Sequence, residues 1–248
     1  MKKEQLQQDN EYSFPYHYIP QYKDDFTQNY NWSWGKQYAS AIEFILNEIK
    51  KDDQSIESIV DVGCGDGRIT KELSETFNTK KILGIDYSSK AINLAKALNP
   101  NISFLNIDII SEKLKEKFDA ITLIEVFEHI PLDLCEDFAK ALPDLLNDNG
   151  KIYLTVPHQN KILQEKHFQH FNYKSLTKYF EKNFKITEVI YIQKHDKLLS
   201  ALNKLMSNKF CIIINSFLNN YFYKFYKKRY FFAEENNCGR IYLKLIKK

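Results

Sequence analysis

Glycine and proline are scarce in this chain, with seven and six among 248 residues. A sequence so poor in both carries no long flexible linker. Cysteine is also sparse. Cys64, Cys135, Cys211 and Cys238 lie far apart and form no C-x-x-C pair. That excludes a zinc knuckle or a disulfide framework and fits a reducing, cytoplasmic compartment. The excess charge is only +3, too mild to argue for a nucleic-acid partner. Met1 to Asn10 is polar and lacks the apolar centre of a signal peptide. The longest apolar stretch, Phe210 to Leu218, is interrupted by Asn215 and is too short to span a bilayer. There is no internal repeat and no low-complexity tract.

What is present is apolar and aromatic: 44% hydrophobic residues, with 18 Phe and 16 Tyr. That supports one domain of ordinary size with a substantial core, or one domain with a cap. The few glycines are concentrated. Three of the seven fall at Gly63, Gly65 and Gly67, directly after the β-branched run Ile59-Val60-Asp61-Val62. The run suits a buried parallel strand, and Ile69 to Phe77 reads as a helix. Strand, glycine turn and helix form the first unit of a doubly wound nucleotide fold, whose ligands bind at the carboxyl end of that strand. A dinucleotide loop would read G-x-G-x-x-G, but Arg68 takes the place of the third glycine. A phosphate loop would end in G-K-[ST], which is absent. Asp61, inside the strand, would repel a pyrophosphate and attract an ammonium group.

The stretch Val60-Asp61-Val62-Gly63-Cys64-Gly65-Asp66-Gly67 resembles the first motif of class I S-adenosylmethionine-dependent methyltransferases. The resemblance runs from about Ile56 to Lys248 and is closest to the ubiquinone-biosynthesis O-methyltransferases. It implies an α/β, Rossmann-like fold: a seven-stranded, mostly parallel sheet with an antiparallel last strand and helices on both faces. It also implies S-adenosylmethionine as cofactor and methyl transfer as the reaction. The residues expected around the cofactor are Asp61, Gly63, Cys64, Gly65, Gly67, Asp86, Tyr87, Asp108, Ile109 and Glu125. Lys81 to Asp86 reads as the second strand, and Asp86 lies about twenty residues past the glycine loop, where an acid holds ribose hydroxyls. Tyr87 could lie against adenine, and Ser88 or Ser89 caps the helix Lys90 to Leu98. After the third strand, Ile102 to Ile107, the resemblance gives Asp108 and the Ile109 N–H to adenine. Asp119, opening the fourth strand Phe118 to Ile124, resembles an acid that is usually structural.

Glu125-Val126-Phe127-Glu128-His129-Ile130-Pro131 follows, where the methyl group should emerge. A hydroxyl acceptor needs a base, typically worth about 10²–10⁴-fold, and histidine titrates near neutrality. Glu128, His129, His167 and His170 are the candidate catalytic residues. The Glu-x-x-Glu-His pattern is similar to the metal site of small-RNA 3′-terminal 2′-O-methyltransferases. It is equally similar to ubiquinone-biosynthesis enzymes taken as metal-free, and no metal is assigned. Helices are expected over Tyr38 to Lys51, Leu132 to Leu146 and Tyr173 to Phe184. The last three strands are expected over Lys151 to Val156, Lys185 to Ile192 and Arg240 to Ile246, the first of them preceded by an Asn149-Gly150 turn.

Four regions follow. Residues 1–37 form an aromatic N-terminal segment, 38–193 the cofactor-binding core, 194–237 a helical insertion, and 238–248 the last strand. The crowding of rings from Tyr12 to Trp34 admits a lid over the ligand or plain packing on the sheet, and His17 within it reads as packed. The insertion's basic aromatic run, 221–232, could lie on a membrane surface, close over a glycan or bases, or simply cap the cleft. The expected acceptor is a small molecule, a lipid-linked compound or a cell-surface glycan, O-methylated. The alternatives are metal-dependent RNA 2′-O-methylation and a non-catalytic S-adenosylmethionine-binding module.

Overall fold

All seven strands expected from apolar runs form one sheet, in which six run the same way and only the last strand of the chain runs antiparallel. The computed structural model describes residues 4, 5, 7, 20, 32–78, 80–208, 211–213 and 215–248. Helix α1, Trp32–Lys51, buries Ala41, Ile42, Ile45, Leu46 and Ile49, the positions with helical spacing. It begins six residues before the expected Tyr38, so the division at residue 37 falls inside a helix. β1 (Ser58–Val62) leads through the glycine turn to α2 (Arg68–Thr76). β2 (Lys81–Asp86), α3 (Ser89–Leu98) and β3 (Ser103–Asn106) follow. Ser88 caps α3 by accepting from the Ala91 N–H at 3.2 Å.

β4 is Phe118–Ile124, as expected. The long helix expected next is only α4, Cys135–Ala141, continued as a 3-10 turn over Leu142–Leu145. Pro143 stands in that turn and has no N–H to continue an α-helix. β5 then starts at Leu146 and runs to Pro157. Asn149, at φ +60°, stands in a bulge where the register against β4 shifts between Phe118 and Ala120. The expected turn at Asn149-Gly150 is thus a bulge inside the strand. The helix expected over Tyr173 to Phe184 is α-helical only as α5, Tyr173–Thr177. β6 is Phe184–Ile192 and β7 is Arg240–Lys247. Between them lie α6, Lys197–Met206, and α7, Ser216–Arg229.

The sheet order is β3-β2-β1-β4-β5-β7-β6, and β7 pairs antiparallel with both neighbours. The chain leaves β1 toward β2 on one side and later returns to β4 on the other. That reversal opens a crevice at the carboxyl end of β1. Phe118, Phe127, Phe138, Phe171 and Phe180 fill one side of the sheet. On the other, α1 packs with Ile192, Leu199, Tyr226, Tyr230, Phe231 and Tyr242. The inserted helices therefore share the main core. Within the aromatic run 221–232, Tyr223, Tyr226, Tyr230 and Phe231 turn into this core, while Tyr221 and Phe232 stay exposed.

Candidate active site

The glycine turn is tied to the end of β2. The N–H groups of Gly63 and Cys64 donate to the Ile85 carbonyl at 2.8 and 3.0 Å, and the Gly65 N–H donates to Asp86 Oδ2 at 2.9 Å. Gly63 and Gly65 hold φ of +72° and +56°, a region open to glycine and costly for other residues. At Gly63 the packing is equally strict, since a Cβ there would lie 2.5 Å from Val126 Cγ2. Asp86 is 6% exposed, and its other oxygen accepts the Ser88 N–H at 2.8 Å.

Two adjoining clefts of about 910 Å³ each open over this turn. The first is mostly apolar and is lined by Gly63, Asp86, Tyr87, Asp108, Ile109 and Glu125, six of the ten residues expected at the cofactor. The second is lined by Gly63, Cys64, Gly65, Glu125, Glu128, His129 and His167, together with Trp34, Tyr38, Lys161, Lys166 and Arg240. Glu125 and His129 face both.

Two expected cofactor contacts stand behind the turn instead. Asp61 lines neither cleft, and its oxygens accept the Thr70 and Thr122 hydroxyls at 2.6 and 2.7 Å. It braces β1 to α2 and β4 and is not aimed at an ammonium. Burial pushes its carboxyl up to about 6, against the pull of the two hydroxyls. Gly67, at φ +83°, also lines neither; a Cβ there would lie 2.8 Å from Phe104 Cζ. Its requirement comes from packing. Cys64 has an inert thiol, raised well above its ordinary value by burial and by Asp86, Asp61 and Asp66.

Glu125 sits at φ +56°, a strained conformation for a non-glycine residue. Its carboxylate accepts from Arg240 Nε at 2.6 Å and from the Thr155 hydroxyl at 3.0 Å. Burial raises its pKa, but Arg240 and Lys161 outweigh burial and hold it below its ordinary value. Glu128 is the opposite case. It is 1% exposed, burial and the neighbouring Glu125 push it well above its ordinary value, and its Oε2 has no hydrogen-bond partner among the described residues.

The histidines form a chain fixed by two backbone carbonyls. His129 Nδ1 donates to the Lys166 carbonyl at 3.0 Å, which leaves the lone pair of the neutral ring on Nε2, 4.0 Å from Glu128 Oε1. His170 Nδ1 donates to the Lys161 carbonyl at 3.1 Å, so its Nε2 accepts from His167 Nδ1 at 2.7 Å. The His167 lone pair is thereby also on Nε2. Burial, then His129 and His170, drive the His167 pKa to about 2, so the ring stays neutral. His170 lines neither cleft and positions His167 from behind. Glu128, His129 and His167 each bring one possible metal-ligating atom within 4.8 Å of the others.

Arg240 and Lys161 escaped the sequence reading. Arg240 opens β7, 115 residues from its partner Glu125, and only the strand order brings them together. Most of the segment Tyr12 to Trp34, including His17, lies outside the described residues. Of those described, Glu4 and Gln5 line the first cleft and the Pro20 carbonyl accepts from Arg68 Nη1 at 2.9 Å.

A glycine turn at the sheet's switch point, an acid closing β2 and the 3-2-1-4-5-7-6 order define a class I methyltransferase fold. Residues 32–189 match the family described as methyltransferase domain, and the chain belongs to that family. It is an S-adenosylmethionine-dependent methyltransferase. It is 26% identical over 220 residues to a putative methyltransferase, 235L, of Invertebrate iridescent virus 6, covering 75% of this chain and 81% of that one. It is 30% identical over 183 residues to a ubiquinone biosynthesis O-methyltransferase of Pelagibacter ubique, covering 68% and 72%. In fold it is similar to the N-methyltransferase NodS of Bradyrhizobium japonicum, crystallised with S-adenosyl-L-homocysteine. The TM-score is 0.64 at 12% identity, over 100% of this chain and 99% of that one.

Proposed function

We propose that this enzyme moves the methyl group of S-adenosylmethionine onto a hydroxyl oxygen of a small organic acceptor, a lipid-linked compound or a sugar. Asp86 takes the ribose hydroxyls, Tyr87, Asp108 and Ile109 the adenine, and the glycine turn the amino-acid end. The acceptor enters the second cleft. Methyl transfer is an in-line displacement at an activated carbon, and most of the help a protein gives is alignment. A hydroxyl also has to lose a proton. The observation that carries the reading is the neutral imidazole pair, His129 and His167, each with its lone pair fixed on Nε2 beside the cofactor cleft. His129 takes the proton as general base through its Nε2, while His167, held neutral beside it, orients the acceptor hydroxyl.

The test is transfer of label from S-adenosylmethionine to a panel of phenols, sugars and lipid-linked diols. O-methylated product from the wild type, and a loss of about 10²–10⁴-fold in kcat for His129→Ala and His167→Ala, support the reading. N-methylated product, or full activity in both variants, overturns it.

One observation favours a second reading. A buried carboxylate oxygen without a partner beside two imidazoles suits a divalent cation, with Glu128, His129 and His167 as ligands. Each ring's Nδ1–H is already held by a carbonyl or another ring, as metal-bound histidines require. Such an ion would lower the pKa of a bound hydroxyl. Cobalt titration of the apoprotein decides it, because visible absorption that Glu128→Gln abolishes requires these ligands.

A further inference from the structure

We propose that the inserted helices dock on an anionic lipid bilayer through the exposed faces of α6 and α7. This goes beyond the methyl-transfer reading and does not depend on the acceptor. The first observation is charge. From residue 197 to residue 233 the sequence carries seven lysines and arginines and no aspartate or glutamate. The second is apolar exposure. Phe217 is 76% exposed, Tyr221 61%, Leu205 60% and Leu198 54%, with Ile212 and Leu218 also exposed. Lys224 and Lys228 extend the same outer stripe of α7 at helical spacing from Phe217 and Tyr221. A folded surface rarely shows so many large apolar side chains together unless something covers them.

The covering partner follows from the two observations together. A second copy of this surface would set the exposed cations Lys197, Lys204, Lys224, Lys228 and Arg229 against their own kind. Single-stranded nucleic acid would need ring faces on which bases stack, and four of these six side chains are aliphatic. Lipid satisfies both features: apolar side chains enter the headgroup region while lysines meet anionic phosphates. Among the described residues no helix is long and apolar enough to cross a membrane, so the contact lies in the plane of the surface. The buried face of α7, with Tyr223 and Tyr226, holds the helix to the core. Lys36 of α1 donates to Asn203 of α6 at 2.6 Å. The same helix α1 carries Trp34 and Tyr38 at the acceptor cleft, so docking would hold that cleft near the bilayer.

The experiment is co-sedimentation of the full chain with vesicles of phosphatidylcholine alone or mixed with phosphatidylglycerol. The expected result is binding to the mixed vesicles that weakens with salt. Leu205→Ser with Phe217→Ser, and separately Lys224→Glu with Lys228→Glu, each lower the affinity at least ~10-fold. All four side chains are exposed, and an unchanged circular dichroism spectrum checks that the variants fold. No sedimentation at low salt overturns the proposal. So does wild-type affinity in both variants, binding to single-stranded RNA in place of vesicles, or a dimer in solution that Leu205→Ser with Phe217→Ser dissociates.

Discussion

Asp86 joins the cofactor cleft to the loop that shapes it. Its two oxygens already hold the Gly65 and Ser88 N–H groups, and the same carboxylate faces the first cleft. If Asp86 holds the ribose as proposed, Asp86→Ala removes a ligand contact and frees the turn at once. Titration calorimetry with S-adenosyl-L-homocysteine should show a loss of about 1–3 kcal/mol, the worth of hydrogen bonds to a charged group. Unchanged affinity would remove Asp86 from the ribose. Asp61 makes a different prediction, on pH. Its folded pKa, about 6, lies above the ordinary 3.8 because of burial. The folded state takes up a proton in that window. The stability this group supplies is complete below 3.8 and is lost as pH rises through about 6. Asp61→Asn abolishes that dependence. Its thermal stability should fall furthest behind the wild type near pH 4 and gain on it toward pH 7, by up to about 3 kcal/mol for a shift of this size. A gap independent of pH would show that Asp61 does not titrate there. The sequence could flag Asp61 as important because an acid inside an apolar strand is costly. It could not say which way the side chain faces, since its partners Thr70 and Thr122 come from two other elements.

Between elements, the two ends of β4 do different work. At its carboxyl end the chain turns through Glu125 into the site. At its start, about 20 Å away at the usual strand rise, Asp119 joins three segments. Asp119 Oδ2 accepts the N–H groups of Glu57 and Ser58 at 2.9 and 3.0 Å and the Ser58 hydroxyl at 2.9 Å. Oδ1 accepts from Asn147 at 2.8 Å. Burial raises this carboxyl, yet the donors hold it below its ordinary value. Asp119→Ala should cost about 1–3 kcal/mol in urea denaturation, because it strands several donors, and leave cofactor affinity unchanged. Weakened cofactor binding in the folded variant would refute a purely structural role. Strands were the most legible elements: β4 was read to the residue and β2 likewise, each an apolar run ending at an acid or a turn. Helices after β4 were misread because apolar spacing continues through Leu142 and Leu145 while Pro143 changes the backbone. The histidine relay was legible only as a set of candidates. Its hydrogen-bond order depends on the Lys161 and Lys166 carbonyls, which no side-chain pattern reveals.

Across the whole molecule, the insertion between β6 and β7 is built into the core while it faces outward. Composition suggested a basic aromatic run from 221 to 232 as one surface. Its spacing said otherwise: Tyr223, Tyr226 and Tyr230 recur every three or four residues and turn inward, leaving Phe217, Tyr221, Lys224 and Lys228 outside. Phe231 completes the inner set. Its ring centroid lies 5.4 Å from that of Phe44 on α1, and Phe44 stands 5.0 Å from Tyr242 on β7. The backbone agrees, since the N–H groups of Gln193 and Lys194 donate to the Phe231 and Tyr230 carbonyls at 2.6 and 2.9 Å. Two phenylalanines in one insertion should therefore answer differently to the same truncation. Phe231→Ala opens a hole shared by the insertion, α1 and β7, and should cost about 3–5 kcal/mol. Phe217→Ala removes a ring already in solvent and should change stability by no more than about 0.5 kcal/mol. Urea denaturation followed by both tyrosine fluorescence and far-ultraviolet dichroism reads the two together. Coincident transitions in wild type and in Phe231→Ala are expected, because Leu199, Tyr226, Tyr230 and Phe231 of the insertion pack into one core with α1 and Tyr242. A separate early transition, or equal costs for the two variants, would mean that the insertion folds as an independent unit on a surface it merely touches.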